Sequence, residues 1–278
     1  FMALAKASAD ECERQGMLLW LYDEDRWPSG YAGGLVTRDD ATHRQQILAF
    51  TRIREEDYVP PKHEVAHVEL RRTGALALLA RFALVRSGSA LVSWRRLAGS
   101  EACPAGAEEW FAYAGATATS RWFNRGTYLD TLSPKAVEAF IASTHERYRA
   151  VLGDRFGTTI PAIFSDEPQM AAQFAIPARG DDGADRLLPW TGDLPAAWRA
   201  AYGTDLLDEL PAVVFDRVDG AHAAPRWRWH DLLAGRFAEA YAGTIGRWCG
   251  QHGIAMTGHL MCEDSLVQQT KWVGEAMR

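Results

Sequence analysis

Three apolar stretches, each followed at once by acidic residues, constrain this chain more than any other feature. Met17 to Tyr22 runs into Asp23-Glu24-Asp25, Ile160 to Ser165 into Asp166-Glu167-Pro168, and Ile254 to Met261 into Cys262-Glu263-Asp264. A short continuous apolar run bounded by polar residues reads as a strand buried on both faces. A helical pattern precedes each one. Residues 2–15 lead to Gly16. Ser133-Pro134 opens a second helix, with Ser as N-cap and Pro at the first helical position, and Val137, Phe140, Ile141, Tyr148 and Val151 follow at helical spacing as far as Gly153. Leu233, Phe237, Tyr241, Ile245 and Trp248 stripe a third, over residues 230–250. Helix, strand and acidic end, repeated, predict an α/β fold whose ligand sits beyond the carboxyl ends of parallel strands.

The expected architecture is a (β/α)8 TIM-type barrel, incomplete in this chain. Such a barrel needs roughly 250 residues without insertions. Residues 64–118 break the α/β rhythm with short strand-like segments and turns at Gly74, Ser87-Gly88 and Gly99-Ser100. The reading therefore divides the chain into first barrel units over 1–60, a β-rich insertion over 61–120 and further barrel units over 121–278. Four or five β/α units cannot close a barrel, so residues outside the 278 of this chain are expected to complete it.

Composition narrows the function. A net charge of −6 gives no basic face, so nucleic acid is not an expected partner. No apolar run reaches the roughly 18 residues of a membrane span, and no membrane partner is expected. Cys12, Cys103, Cys249 and Cys262 form no CxxC pair and are expected to be unpaired. Eleven Trp, eight Tyr and eleven Phe supply many aromatic faces. Most aromatics of a globular protein are core, but such faces also pack on the C–H faces of sugar rings.

The acidic strand ends hold the candidate site residues. Alternation along a strand sends Asp23 and Glu24 to opposite faces, and Trp27 lies in the turn-rich stretch after them. The same alternation groups Ile163, Ser165 and Glu167 on one face, with Asp166 beside Glu167 able to raise its proton affinity where both are desolvated. Thr257, His259, Met261 and Glu263 share a face if the third strand runs that far. Glycoside hydrolysis needs two carboxyl groups flanking the scissile bond. Glu167 and Glu263 are the expected catalytic pair, and Asp23, Glu24, Trp27, Asp166 and His259 the expected substrate contacts. A loop-capping role for each carboxylate is the bland alternative.

His63-Glu64-Val65-Ala66-His67 matches the zinc-protease pattern H-E-x-x-H. Zinc would need both histidines one turn apart on a helix, with the glutamate as base. Pro60-Pro61 precede the motif, the segment after it alternates like a strand, and Leu70 stands where the extended motif has glycine. A chance match is the expectation, and no metal ligand is assigned. No Walker loop, G-x-G-x-x-G or G-x-S-x-G occurs.

Gly16 to Gly34, Tyr128-Leu-Asp-Thr-Leu-Ser-Pro134, Phe140-Ile-Ala-Ser-Thr-His-Glu146 and Ile163-Phe-Ser-Asp-Glu-Pro168 resemble glycoside hydrolase family 106, the α-L-rhamnosidases and their bacterial relatives. The resemblance implies a (β/α)8 catalytic barrel with attached β-sandwich domains, an inverting mechanism, a glutamate pair and associated calcium. It gives Glu167 the general acid's role; the base is Glu263 or a carboxylate beyond Arg278. No cluster in the sequence stands out as a calcium site. The functional expectation is a hydrolase cleaving a terminal, rhamnose-like sugar from an oligosaccharide or polysaccharide. The rival of another class is a glycan-binding barrel without catalysis. Export to the periplasm or the medium suits such a substrate, but no signal in the sequence assigns a location.

Overall fold

The computed structural model describes residues 1–59, 76–171, 176 and 185–275. The strands are β1 (Leu21–Tyr22), β2 (Gln46–Thr51), β3 (Ala77–Ser87), β4 (Ala90–Leu97), β5 (Glu108–Ala116), β6 (Ala162–Asp166), β7 (Arg186–Trp190) and β8 (Ala255–His259). They form two separate sheets. One is parallel, in the order β1-β6-β8, and the other is antiparallel, in the order β4-β3-β5-β2-β7.

The expected (β/α)8 barrel is not found among the described residues. Neither of their sheets closes, and the fold is mixed α/β. The reason lies in strand pairing. A barrel needs each edge strand to find another partner, but β1 and β8 end the parallel sheet on either side. Strands β2 and β7, which might have extended it, pair antiparallel with each other, and β2 pairs with β5 as well. Residues 186–190 are thus a strand at the edge of the second sheet. The His63–His67 motif lies outside the described residues.

The helices follow the sequence closely. Met2–Gln15 ends at Gly16, which takes the left-handed conformation (φ 66°) that glycine adopts without strain. Ser133 caps Pro134–Ser143 by accepting from the Ala136 amide at 3.4 Å. Ala136, Val137, Phe140 and Ile141 of that helix are buried. The long helix starts earlier than its stripe implies and runs from Ala223 to Gln251, with a π-helical segment at Ala238–Gly243. Phe140 stacks on Tyr241, and Tyr241 on Phe237, behind the parallel sheet. Burying each such ring contributes roughly 1.5–3 kcal/mol.

Only one face of the parallel sheet is fully covered. Ser165 of β6 hydrogen-bonds the Tyr241 hydroxyl at 2.9 Å on the helix side. Among the described residues the opposite face is only partly covered. Leu18 and Trp20 before β1 are 63% and 54% exposed, so this run is not buried on both faces as its apolar continuity predicts. Gly258 of β8 pairs with Ser165, and a Cβ there would lie 1.9 Å from the Ser165 carbonyl oxygen, which no side chain can tolerate. The antiparallel sheet has its own aromatic core. Phe50, Phe82, Trp110 and Phe215 meet with ring centroids 5.0–6.3 Å apart.

Candidate functional site

The carboxyl ends of β1 and β6 lie side by side, joined by Asp23 N–H donating to the Phe164 carbonyl at 3.0 Å. Beyond them the loop of residues 23–30 folds back over β6. It is tied there by Ser29, whose amide donates to the Asp166 carbonyl at 2.9 Å. These ties bring Tyr22, Glu24, Asp166 and Glu167 together on the partly covered side of the sheet.

Tyr22 is the hub. Its hydroxyl lies 3.2 Å from Glu24 Oε2 and within short hydrogen-bond range of Asp166 Oδ2. Its ring stacks on Phe164 at 5.4 Å, and Phe164 meets His259 edge-on at 5.3 Å. Burial, then the bond and charge of Asp166 and the charge of Glu24, push the Tyr22 phenol well above its ordinary value. Burial is also the largest cause raising Glu24, to about 7, and the neighbouring charges of Asp166, Asp25 and Glu167 add to it. Among the described residues no lysine or arginine pairs with Glu24, Asp166 or Glu167. The charge of Asp166 raises the proton affinity of Glu24 and also that of Asp23.

Glu167 departs from strand alternation. The strand ends at Asp166, and Glu167 has φ 45°, a left-handed conformation that costs a non-glycine residue of order 1 kcal/mol or more. Its amide still donates to the His259 carbonyl at 3.0 Å, extending the β6–β8 ladder. The turn carries its side chain to Trp27, whose indole N–H donates to Glu167 Oε2 at 2.8 Å. Trp27 in turn meets Trp122 edge-on, and its carbonyl accepts from the Trp122 indole at 2.6 Å. Strained backbone at a carboxylate held by an aromatic donor is a pattern of functional sites. The grouping of Glu167 with Ser165 by alternation fails here, because Ser165 faces the helices.

Asp23 and Glu24 do lie on opposite sides, as alternation requires. Asp23 is only 2% exposed, and its Oδ1 accepts from the Ser29 hydroxyl at 2.5 Å. Its Oδ2 lies 3.6 Å from Nε2 of His145, which is fully buried. Burial raises Asp23 to about 7, against the opposing pull of the Ser29 bond. Burial lowers His145 to about 3. Both shifts favour a neutral pair over an ion pair at this depth.

Glu263 stands apart. It lies in the exposed turn after β8, and its Oε2 accepts from the Leu260 amide at 3.1 Å in that same turn. It shares no hydrogen bond with Glu167. The turn itself comes near, since the Cys262 thiol is raised by burial, then by the charges of Asp264 and Glu167. His259 is exposed beside Phe164. Tyr22, Ser29 and His145 were not among the expected site residues. Alternation could have found Tyr22, two positions before Glu24. His145 comes from a distant helix and left no local signal.

A cleft of ≈ 460 Å³ opens beside this cluster, lined by Tyr22, Glu24, Asp25, Thr144, Arg147 and Tyr148 among others. Among the described residues no group of three or more His, Cys, Asp or Glu is arranged to hold a metal ion. None of their helices is long and apolar enough to cross a membrane. All four cysteines are free.

No family model matches the sequence, and no curated protein matches it. Among solved structures, a rhamnosidase from Novosphingobium sp. PP1Y is similar at 16% identity and a TM-score of 0.41. The similarity covers 62% of this chain and 17% of that one. A likeness of that size carries no weight for fold or activity.

Proposed function

We propose that this chain carries the acid–base groups of a glycoside hydrolase acting on a terminal, rhamnose-like sugar of an oligosaccharide or polysaccharide. The observation that carries the reading is the carboxyl cluster of Glu24, Asp166 and Glu167 around the Tyr22 hydroxyl, without a paired cation among the described residues, at the carboxyl ends of parallel strands and beside a cleft. Carboxyl groups pushed apart in proton affinity by their surroundings are what glycoside hydrolysis uses. Structural carboxylates are usually satisfied by cations or backbone amides, and among the described residues these three have no cation.

In this reading Glu167 donates the proton to the leaving glycosidic oxygen, as the family resemblance implies. Glu24 takes the base's role in place of the expected Glu263, because it stands in the same cluster as Glu167 and lines the cleft. The Glu263 carboxylate serves its own turn. The Tyr22 hydroxyl holds Glu24 beside Asp166, while Trp27, Phe164 and His259 offer surface to the sugar ring. Asp23 supports from below and does not touch substrate. The rhamnose preference rests on the resemblance alone.

The test is hydrolysis of aryl glycosides by the wild type and by Glu167→Gln, Glu24→Gln and Glu263→Gln. Loss in the first two, with Glu263→Gln near wild type, supports the assignment. Full turnover by Glu167→Gln sinks it. Saccharide binding without any wild-type hydrolysis favours the glycan-binding alternative.

A further inference from the structure

Ser29 makes four hydrogen bonds and is fully buried. Its amide donates to the Asp166 carbonyl, and its hydroxyl accepts from the Asp166 amide at 2.7 Å. The same hydroxyl donates to Asp23 Oδ1, and its carbonyl accepts from the Tyr128 phenol. A serine hydroxyl has one proton. One of its lone pairs accepts from the Asp166 amide, and the hydroxyl's own proton goes to Asp23 Oδ1. Oδ1 is thereby fixed as an acceptor. Oδ2 lies 3.6 Å from Nε2 of His145, and neither atom has a hydrogen-bond partner among the described residues. Hydroxyl, carboxyl and imidazole thus stand in one buried row.

We propose that Ser29, oriented by Asp23 and backed by His145, is a positioning residue that clamps the 23–30 loop onto the end of β6 and so sets the Trp27 indole against Glu167. Trp27 lies two residues before the clamp, and Glu167 one residue after the peptide that the clamp grips. A slip of Ser29 therefore moves both partners of the 2.8 Å indole bond at once. The catalytic consequence rests on the proposed role of Glu167; the clamp itself rests on the geometry alone.

The experiment follows the indole N–H resonance of Trp27 in the ¹⁵N-labelled chain, identified by its absence in Trp27→Phe. In Ser29→Ala the resonance is expected to shift as it does in Glu167→Gln, with kcat falling about 10²-fold and KM changing far less, the scale of a roughly 1 Å misplacement. In Asp23→Asn, which keeps an oxygen for Ser29, the resonance should stay. Phe82→Ala, a core change in the antiparallel sheet away from the loop, should leave it in place as well, which separates positioning from general destabilisation. A folded Ser29→Ala with the resonance unmoved overturns the proposal. If Ser29→Ala does not fold, Ser29→Cys, similar in size and a much weaker acceptor, gives the same two outcomes. A shifted resonance in a chain that cleaves no glycoside keeps the clamp and removes the hydrolase reading. An unmoved resonance in a chain that does cleave keeps the hydrolase and removes the clamp.

Discussion

Glu109 on the antiparallel sheet lies against Arg81 and 2.7 Å from Arg54, while Glu24 at the end of the parallel sheet lies against Tyr22, Asp166 and further negative charge. Burial alone would raise Glu109, but the bonds and charges of Arg81 and Arg54 outweigh it and hold its carboxyl below the usual range. Glu108 is similarly matched, 2.8 Å from Arg86. One sheet pairs its acids with cations and fills its core with four aromatic rings. The other, among the described residues, gathers acids without cations and has one face only partly covered. Charge left uncompensated in a partly buried place costs stability, and it is where proton chemistry is most readily done.

The sharpest way to break the comparison is at Glu167. Glu167→Gln should lower kcat/KM by about 10²–10⁴-fold, as loss of a proton donor does, while the thermal midpoint stays near wild type. Glu167→Gly should be as inactive yet more stable, by about 1 kcal/mol, because glycine adopts φ 45° without strain. An unchanged or lower midpoint for the glycine variant would remove strain from the description of the site. On the packed side, Phe140→Ala should cost about 3–5 kcal/mol in denaturant unfolding. A loss below about 1 kcal/mol would mean the helices do not hold the parallel sheet as described.

Next in size is a pH effect with a definite sign. The folded-state pKa of Asp23 is raised from 3.8 to about 7, so its contribution is fully present below about pH 4 and is lost as pH rises through 7. His145 is lowered from 6.5 to about 3, so its contribution is present above about 6.5 and is lost as pH falls toward 3. Asp23→Asn should therefore flatten the decline in stability between pH 4 and 7. Part of the slope should persist, because Asp130 and Glu24 are also raised to about 7. A slope identical to wild type would show that Asp23 is ionised in the fold. The smallest effect belongs to the half-exposed Arg54. Arg54→Ala should cost about 0.2–1 kcal/mol, the range of exposed ion pairs. A loss of several kcal/mol would make the antiparallel sheet depend on its charges more than on its rings.

Much of the local structure was legible in the sequence. The helix at residues 2–15, the Ser133 cap and the strands near 162–166 and 255–259 all follow from periodicity and capping residues. The opposite pointing of Asp23 and Glu24 follows from alternation. The architecture did not follow, because strand pairing is a long-range choice. Nothing local in Gln46–Thr51 or Arg186–Trp190 says that they join an antiparallel sheet and not a barrel. The site was legible as far as the chain ran straight. Beyond Asp166 the positive φ of Glu167 breaks the alternation on which its orientation was judged, and beyond β8 a turn draws Glu263 onto its own backbone. Tyr22, Ser29 and His145 come together only once the loop folds over β6, a contact between segments more than a hundred residues apart.

The missing side chain at Gly258 has a consequence for how variants of this protein would be interpreted. Any Cβ there collides with the carbonyl of the neighbouring strand. The two strands would have to part at the point from which Glu167 and the Cys262–Glu263 turn emerge. A saturation scan scored on activity would therefore rank position 258 beside the acids themselves, although it has nothing with which to touch a substrate. Scored on abundance, the same scan would show the glutamates as tolerant and the glycine as intolerant, and would separate the groups that do chemistry from the spacing that lets them meet.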